Sequence, residues 1–323
     1  MYIIEMEPEI TKIINDKKAD LSKLSVKTYA NAVNKVLSLM GSTSLPDLYL
    51  KASDVVKTLK EKYEKPNTIK TKIASVIVLL RCLDVSIKAK KAVDAALALY
   101  AKEIESLTGD VKKDLATGEK SDKMKTNWTS ADDVTTLKTN LKTLVPDEIK
   151  SSKDLAHFRD YVLYMLYDDL PTRNDIADSK IVFSSPKKHG ELSDEWNYIV
   201  LDKRLKKAGY IMNQYKTAKS YGAKHITLGA ELYPILVKYK TAVDAFNGGQ
   251  NWLFLNNAGT EKLSRNRLGV IYSGLGKSIG KKLSTTINRH IAVSRVIPLD
   301  KMKNLADKMG HSVQEQVDVY AKV

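Results

Sequence analysis

The apolar residues in the first hundred positions recur every three to four residues, the spacing of one face of an α-helix. Ser25 can begin one such segment and Gly41 can end it. The apolar positions of this segment are Tyr29, Val33, Val36, Leu37 and Met40. Similar segments begin near Ser53, after Pro66 and at Ala92, and the last runs to Leu107. The pattern predicts a four-helix domain over residues 1–107, without strands.

Residues 108–127 read TGDVKKDLATGEKSDKMKTN and show no apolar period. A polar, charged stretch of this kind predicts an exposed linker. A second domain over residues 128–323 then begins at Trp128, where Thr129 or Ser130 can cap a helix. A further helix is predicted over residues 153–167.

Short β-like runs follow, separated by segments rich in turn residues. They cover residues 181–183, 198–201, 210–212 and 225–228, and they predict a small antiparallel sheet. Helical patterns return at residues 230–246, 264–283, 285–296 and 299–309, before a last helix that holds Tyr320. The expected fold is mainly α with a small antiparallel β-sheet: a helical domain followed by a mixed α+β domain.

The net charge of the chain gives information about its binding partner. Among 323 residues, Lys and Arg number 53 and Asp and Glu 38, which gives a formal net charge of +15 and a pI near 9.4. Such a surplus favours a polyanion such as nucleic acid, although a lysine-rich protein with a solvated surface is the plainer alternative. We expect no membrane partner, because the sequence shows neither a long apolar run nor a secretory signal.

Cysteine and histidine usage gives no sign of a metal site. The single cysteine, Cys82, excludes an intrachain disulfide and a zinc site built on several cysteines, which favours an intracellular protein. His157, His189 and His225 show no metal-ligand spacing. We therefore expect no metal.

The C-terminal part carries the candidate chemistry. Arg289 lies in the run Thr-Ile-Asn-Arg-His, a Met-Gly-His-Ser run places His311 after Gly310, and Tyr320 follows nine residues after His311. An arginine and a histidine can hold a phosphate while a tyrosine hydroxyl attacks it. This order indicates phosphoryl transfer to Tyr320.

Two upstream basic residues complete a possible site. Arg173 follows an apolar helix and can contact a phosphate through two donors, but a salt bridge to a neighbouring aspartate (Asp168, Asp169 or Asp175) is an equal alternative. Lys216 lies near the turn between two predicted strands, where a solvated lysine is the common case. Lys219 and Lys224 are neighbours that can take the same role.

In the order of these candidate residues along the sequence, the chain resembles the tyrosine recombinase, or phage-integrase, family. That family has an arginine, a lysine in a β-hairpin, a second arginine, a Gly-His pair and then a tyrosine. The matching positions, with their motif neighbours, are Arg173, Lys216-Thr217, Trp252–Leu255, Arg289, Met309–Ser312 and Tyr320–Val323. Each motif is weak alone, and the ordered set covers nearly the whole chain. The Pro-Thr-Arg-Asn-Asp run looks more like members from viruses and mobile elements.

The resemblance implies a site-specific recombinase or integrase that cleaves and rejoins double-stranded DNA through a 3′-phosphotyrosine. Tyr320 would be the nucleophile, Arg173 and Arg289 would hold the phosphate, His311 would assist and Lys216 would protonate the leaving oxygen. It implies no metal, ATP or other cofactor, and four protomers acting on two DNA sites. Residues 1–107 would be the core-binding domain and residues 128–323 the catalytic domain.

Two features depart from the family pattern. Thr286 stands where the family usually has histidine, and it can hydrogen-bond a phosphate oxygen without adding charge. His290, after the arginine, either compensates or packs structurally, and we favour packing. Only three residues follow Tyr320, whereas many relatives continue into a further helix.

Two other functions stay open. A type IB topoisomerase uses a similar set of residues but relaxes supercoils without a second site. A DNA-binding relative that has lost catalysis would keep the fold, and Thr286 and the short tail are the features that point to it.

Overall fold

A computed structural model describes residues 6–116, 119–247, 249–294, 305–310, 312 and 315. The chain divides into two compact units, residues 1–117 and 118–323. The described residues are mainly helical, with a four-stranded mixed sheet in the second unit. The coarse class predicted from the sequence, a mainly helical chain with a small sheet, is confirmed.

The first unit contains more helices than the four predicted. Its helices are α1 (Glu7–Lys17), α2 (Lys23–Met40), α3 (Asp47–Leu50), α4 (Ala52–Lys62), α5 (Pro66–Leu80) and α6 (Ile87–Ala116). The additional α1 has Glu7 and Glu9 in its first turn, where they complement the helix dipole. It buries Ile10 and Ile14 against the other helices of the unit.

The helix ends of this unit follow local chemistry. The Ser22 hydroxyl, and not the predicted Ser25, caps α2 by accepting a hydrogen bond from the Ser25 amide at 3.1 Å. Gly41 ends α2 as predicted, in the left-handed conformation with φ of 62°. In the core, the fully buried Tyr100 donates its hydroxyl to the Leu48 carbonyl at 2.6 Å, which ties α6 to α3.

The second unit is built around a long, buried helix. Its helices are α7 (Asp122–Asn127), α8 (Ala131–Thr143), α9 (Ser152–Asp169), α10 (Ala218–Tyr221), α11 (Leu232–Asn247), α12 (Arg265–Leu275) and α13 (Thr285–Ser294). Residues 305–309 are also helical. Short 3-10 turns cover Asn174–Asp178, Pro186–Glu191 and Gly276–Ile279. The helix predicted over residues 264–283 is shorter because Gly276 starts a 3-10 turn that ends at Gly280 with φ of 70°.

The segment 108–127, for which the sequence predicts an exposed linker, contains helix in the structure. Helix α6 continues through it to Ala116, and α7 occupies residues 122–127. Once a helix has formed, each added residue gains a hydrogen bond without a new nucleation cost. Lysine, alanine and leucine in this segment favour helix, so an apolar stripe is not needed to continue α6.

The sheet is mixed, so the prediction of an antiparallel sheet is wrong for one strand pair. Its strands are β1 (Ser179–Phe183), β2 (Asn197–Asp202), β3 (Lys207–Met212) and β4 (Lys224–Thr227), in that spatial order. Strand β1 runs parallel to β2, whereas β2–β3 and β3–β4 are antiparallel. The connection over residues 184–196 has the length of a dozen or more residues that parallel pairing requires.

Both faces of the sheet are covered. Ile181, Ile199 and Tyr210 face the main core, to which the buried side of α9 also belongs. Alternate residues face a second, smaller cluster, with Tyr198, Val200 and Ile211 packed together. Packing on both faces thus supports the strands β3 and β4, whose connection carries Lys216.

Candidate functional site

Arg173 lies between the end of α9 and the 3-10 turn Asn174–Asp178. The buried Tyr167 of α9 anchors this junction, since its hydroxyl donates to Asn174 Oδ1 at 3.1 Å. Arg173 itself is half-buried. Among the described residues, none of the aspartates expected as alternative partners forms an ion pair with Arg173. Asp168 pairs with Lys138 at 2.7 Å, Asp169 lies 4.0 Å from Lys308, and Asp175 pairs with Arg265 at 2.8 Å.

Arg289 lies on α13, which is docked directly against α9. The Ser284 hydroxyl caps this helix by accepting a hydrogen bond from the Ile287 amide at 3.1 Å. The neighbouring Asn288 donates its side-chain amide to the carbonyl of Tyr167 at 2.6 Å. Tyr167 therefore binds both the junction that carries Arg173 and the helix that carries Arg289.

The positive charges of Arg173 and Arg289 both act on the carboxylate of Asp175. Asp175 is 8 % exposed, and burial raises the pKa of its carboxyl group. The positive charges of Arg265, Arg173 and Arg289 each act to lower that pKa. Although the two candidate arginines are far apart in sequence, the fold thus places both within electrostatic reach of Asp175.

Lys216 and its neighbours lie in the connection between β3 and β4. The Lys216 side chain is exposed, whereas the preceding Tyr215 is buried and donates its hydroxyl to the Gly222 carbonyl at 2.8 Å. Thr217 donates its hydroxyl to the Gly310 carbonyl at 2.7 Å, across 93 residues of sequence. Thr217 of the Lys-Thr pair is therefore in direct contact with Gly310, the residue that precedes His311 in the sequence.

Gly310 is suited to this close approach. Its φ is 71°, and a Cβ atom at this position would lie 2.9 Å from Cε2 of the Tyr215 ring. Only glycine allows both the backbone conformation and the contact without strain. His311 and Tyr320 lie outside the described residues, so their roles stay predictions.

The alternative lysines differ in their surroundings. Lys219 is exposed on α10. Lys224, at the start of β4, forms an ion pair with Asp307 at 2.6 Å, and its side chain is 15 % exposed. This pair joins β4 to the helical residues that precede Gly310. Lys224 is thus engaged in a tertiary contact, unlike the exposed Lys216.

The two residues that depart from the family pattern both lie on α13. Thr286 is exposed in its first turn, one helical turn before Arg289. His290 is 7 % exposed and Arg289 is 6 % exposed. Thr286 is therefore the member of this group that presents its side chain to solvent.

Arg265 is a residue of this region that the sequence analysis missed. It begins α12 and binds Asp175 and Asp178, which belong to the turn after Arg173. These partners lie 87 residues or more away along the chain, so no local pattern reveals the contact. Its position directly after a helix cap, Ser264, is the only local signal.

The described residues contain no candidate metal cluster and no candidate membrane span. Across residues 6–294, apart from the short gaps, and 305–310, no group of three or more His, Cys, Asp or Glu side chains is placed to hold a metal ion. Within the same ranges, no helix is long and apolar enough to cross a membrane.

Comparison with known proteins adds little to these observations. No protein-family model matches the chain, and no curated protein matches it. Among solved structures, the chain is similar to the crystal structure of XerA recombinase, with a TM-score of 0.42 and 14% sequence identity over 97% of this chain and 94% of that chain. The similarity is weak, and no residue role is transferred from it.

Proposed function

We propose that the protein is a tyrosine-type DNA strand transferase, a site-specific recombinase or integrase. The observation that carries the proposal is the hydrogen bond from Thr217 to Gly310, because it joins the Lys-Thr motif to the residue that precedes His311 in the sequence. The second support is that the charges of Arg173 and Arg289 both act to lower the pKa of Asp175. These two observations support a common site, and the positions of His311 and Tyr320 in it are part of the proposal.

In the proposed reaction the hydroxyl oxygen of Tyr320 attacks the scissile phosphorus, and the bond from phosphorus to the 5′-oxygen breaks. Arg173 and Arg289 stabilise the charge on the non-bridging oxygens. Lys216 gives a proton to the departing 5′-oxygen, and His311 takes part in removing the tyrosine proton. The exposed position of Lys216 suits an ammonium group that must reach a bound strand.

Rejoining reverses these steps. A 5′-hydroxyl attacks the phosphotyrosine, a phosphodiester forms again and the Tyr320 hydroxyl is released. One phosphoester replaces another in each direction, so the reaction needs no external energy source. The positive charges of the arginines take the part that a metal ion plays in many other phosphoryl-transfer sites.

The proposed partner is double-stranded DNA. The net charge of +15 suits a polyanion, and contacts to phosphates make binding fall steeply as salt is raised. Recombination would join four protomers on two DNA sites, and an integrase of a virus or mobile element is the form that the motifs favour.

Covalent trapping tests this function. Wild-type protein and Tyr320→Phe are mixed with labelled duplexes from the DNA flanking the gene, each nicked near a candidate site. An SDS-stable protein–DNA band with wild type alone supports the nucleophile and locates the site. A band with Tyr320→Phe refutes the assignment of Tyr320. Tight binding without a band from either protein favours a binding protein that does not cut.

A positive trapping result leaves two enzymes to distinguish. A supercoiled plasmid that carries two copies of the trapped site is incubated with the protein. Recombined product supports the recombinase, and relaxed plasmid alone supports an enzyme that resembles a type IB topoisomerase.

A further inference from the structure

Asp175 is a buried carboxylate with one direct ion-pair partner among the described residues. It is 8 % exposed, and its Oδ1 atom lies 2.8 Å from NH1 of Arg265. Arg173 lies close enough to lower the pKa of Asp175. A buried carboxylate is strongly stabilised by a bound cation, so removal of Arg265 would leave Asp175 to attract Arg173 instead.

Arg265 holds the turn that follows Arg173 at several points. Besides Asp175, its Nε atom contacts Asp178 Oδ2 at 2.5 Å. Its carbonyl oxygen lies 3.5 Å from the side-chain nitrogen of Asn174, at the limit of a hydrogen bond. One residue at the start of α12 thus contacts Asn174, Asp175 and Asp178 of the five-residue turn.

We propose that Arg265 is a positioning residue for Arg173. Its guanidinium binds Asp175 and Asp178 together and thereby fixes the turn that Arg173 precedes. It also occupies the Asp175 carboxylate, so that the donors of Arg173 stay directed to a DNA phosphate. This inference rests on the proposed function, since it assigns a role in the same strand-cleavage site.

Lys262 supplies a matched control. Its ammonium group binds Asp178 at 2.6 Å, as Arg265 does, but it has no ion pair with Asp175 among the described residues. A variant at Lys262 disturbs the same turn without releasing Asp175. The two positions therefore separate a general loosening of the turn from loss of the Asp175 contact.

The experiment measures covalent-complex formation at saturating duplex, with a nicked duplex on which wild type is trapped. We expect Arg265→Ala to cleave about 10- to 100-fold more slowly, the loss typical of a misplaced reacting group, with unchanged Kd for DNA. Adding Asp175→Asn to Arg265→Ala should restore part of the rate, because a neutral amide does not hold Arg173 away from the phosphate. Lys262→Gln should cleave at nearly the wild-type rate.

The double variant decides between positioning and direct contact. If Arg265 bound a DNA phosphate itself, Asp175→Asn would restore nothing, and the Kd of Arg265→Ala would rise. A double variant no faster than Arg265→Ala, or an Arg265→Ala that cleaves like wild type, overturns the inference. If Arg265→Ala does not fold, Arg265→Lys replaces it, since lysine keeps the charge but cannot bridge both carboxylates. Slower cleavage by Arg265→Lys than by an equally stable Lys262→Gln supports the inference, and equal rates overturn it.

Covalent-complex formation by the wild-type protein tests the proposed function separately from the role of Arg265. A wild type that binds DNA but yields no covalent product overturns the strand-transferase proposal, and this inference with it. A wild type that cleaves, beside an Arg265→Ala that cleaves equally fast, overturns the positioning role alone.

Discussion

The Thr217 hydroxyl donates a hydrogen bond to the Gly310 carbonyl at 2.7 Å. This bond ties the segment between β3 and β4 to the residue that precedes His311 in the sequence. The hydroxyl lies one residue from Lys216, the proposed proton donor. The carbonyl belongs to the peptide unit that leads into His311. The bond therefore joins the segment that carries Lys216 to Gly310, from which the chain continues into His311.

Thr217→Val should slow strand cleavage while DNA affinity stays the same. Valine resembles threonine in shape but lacks the donor, and a hydrogen bond of this type contributes about 0.5–1.5 kcal/mol. Single-turnover cleavage of a nicked duplex measures the effect. Thr217→Ser, which keeps the hydroxyl, is the control and should remain close to wild type. Equal rates for the valine and serine variants would show that the bond does not position the site.

Gly310→Ala should destabilise the fold more than an alanine at a comparable glycine. The left-handed backbone costs a non-glycine residue about 1 kcal/mol, and the new methyl group would also press against the Tyr215 ring. Gly280 is the matched control, because its φ is 70° and no atom lies within 4 Å of its notional Cβ. Thermal unfolding of both variants separates the backbone cost from the Tyr215 contact. Equal losses in the two variants would contradict the contact.

Local signals explain which parts of the fold the sequence predicts correctly. Gly41 ends α2 because a left-handed C-terminal position favours glycine, and this preference can be read from one residue. The β-like runs fall on the strands because they are rich in the β-branched and aromatic residues that favour strands. The parallel pairing of β1 with β2 was missed, since period-two patterns do not encode strand direction.

The parts of the site that the sequence could not predict depend on tertiary contacts. The ion pair between Arg265 and Asp175 joins two ordinary charged residues from distant segments. The bond from Thr217 to Gly310 likewise has no signal in either segment alone. The resemblance predicts which residues belong to the site and their order along the chain. It does not predict which charged groups surround Arg173, because those groups are brought together only when the chain folds.

Buried tyrosines should make the second unit sensitive to alkaline pH. Burial raises the pKa of Tyr210, Tyr239 and Tyr272 above the ordinary value. In the unfolded chain these groups ionise near pH 10, so stability is intact below about pH 10 and falls as pH rises beyond it. Each such group should lower the free energy of unfolding by about 1.4 kcal/mol per pH unit in that range.

Tyr272→Phe tests this expectation, because it removes one buried hydroxyl from the core of the second unit. The variant should lose stability less steeply above pH 10 than wild type, as measured by denaturant unfolding at several pH values. The difference between the proteins at pH 7 gives the cost of the substitution itself. Parallel stability curves from pH 9 to pH 11 would contradict a raised pKa for Tyr272.

Thr286→His should give equal or faster cleavage. Thr286 is exposed in the first turn of α13, so a larger side chain fits without repacking the core. The imidazole can add a donor, and a positive charge when protonated, one turn before Arg289. Thr286→Ala is the control that removes the hydroxyl without adding a donor. A strong loss in the histidine variant, with normal DNA affinity, would mean that the site requires a neutral group at this position.

Lys216→Ala should slow cleavage because the departing 5′-oxygen then lacks its proton donor. Lys216 is exposed in the β3–β4 connection beside the Thr217–Gly310 bond, where an ammonium group can reach a bound strand. A duplex with a 5′-thio bridge has a leaving group that needs no proton, so it should restore the rate of Lys216→Ala.

Lys219→Ala is the matched control, since Lys219 is also exposed, and it lies on the adjacent α10. We expect it to cleave the ordinary duplex at the wild-type rate and to gain nothing from the thio bridge relative to wild type. Rescue of Lys219→Ala instead of Lys216→Ala would assign the proton donor to Lys219. Slow cleavage of both substrates by Lys216→Ala would leave Lys216 with a role in holding the strand rather than in proton transfer.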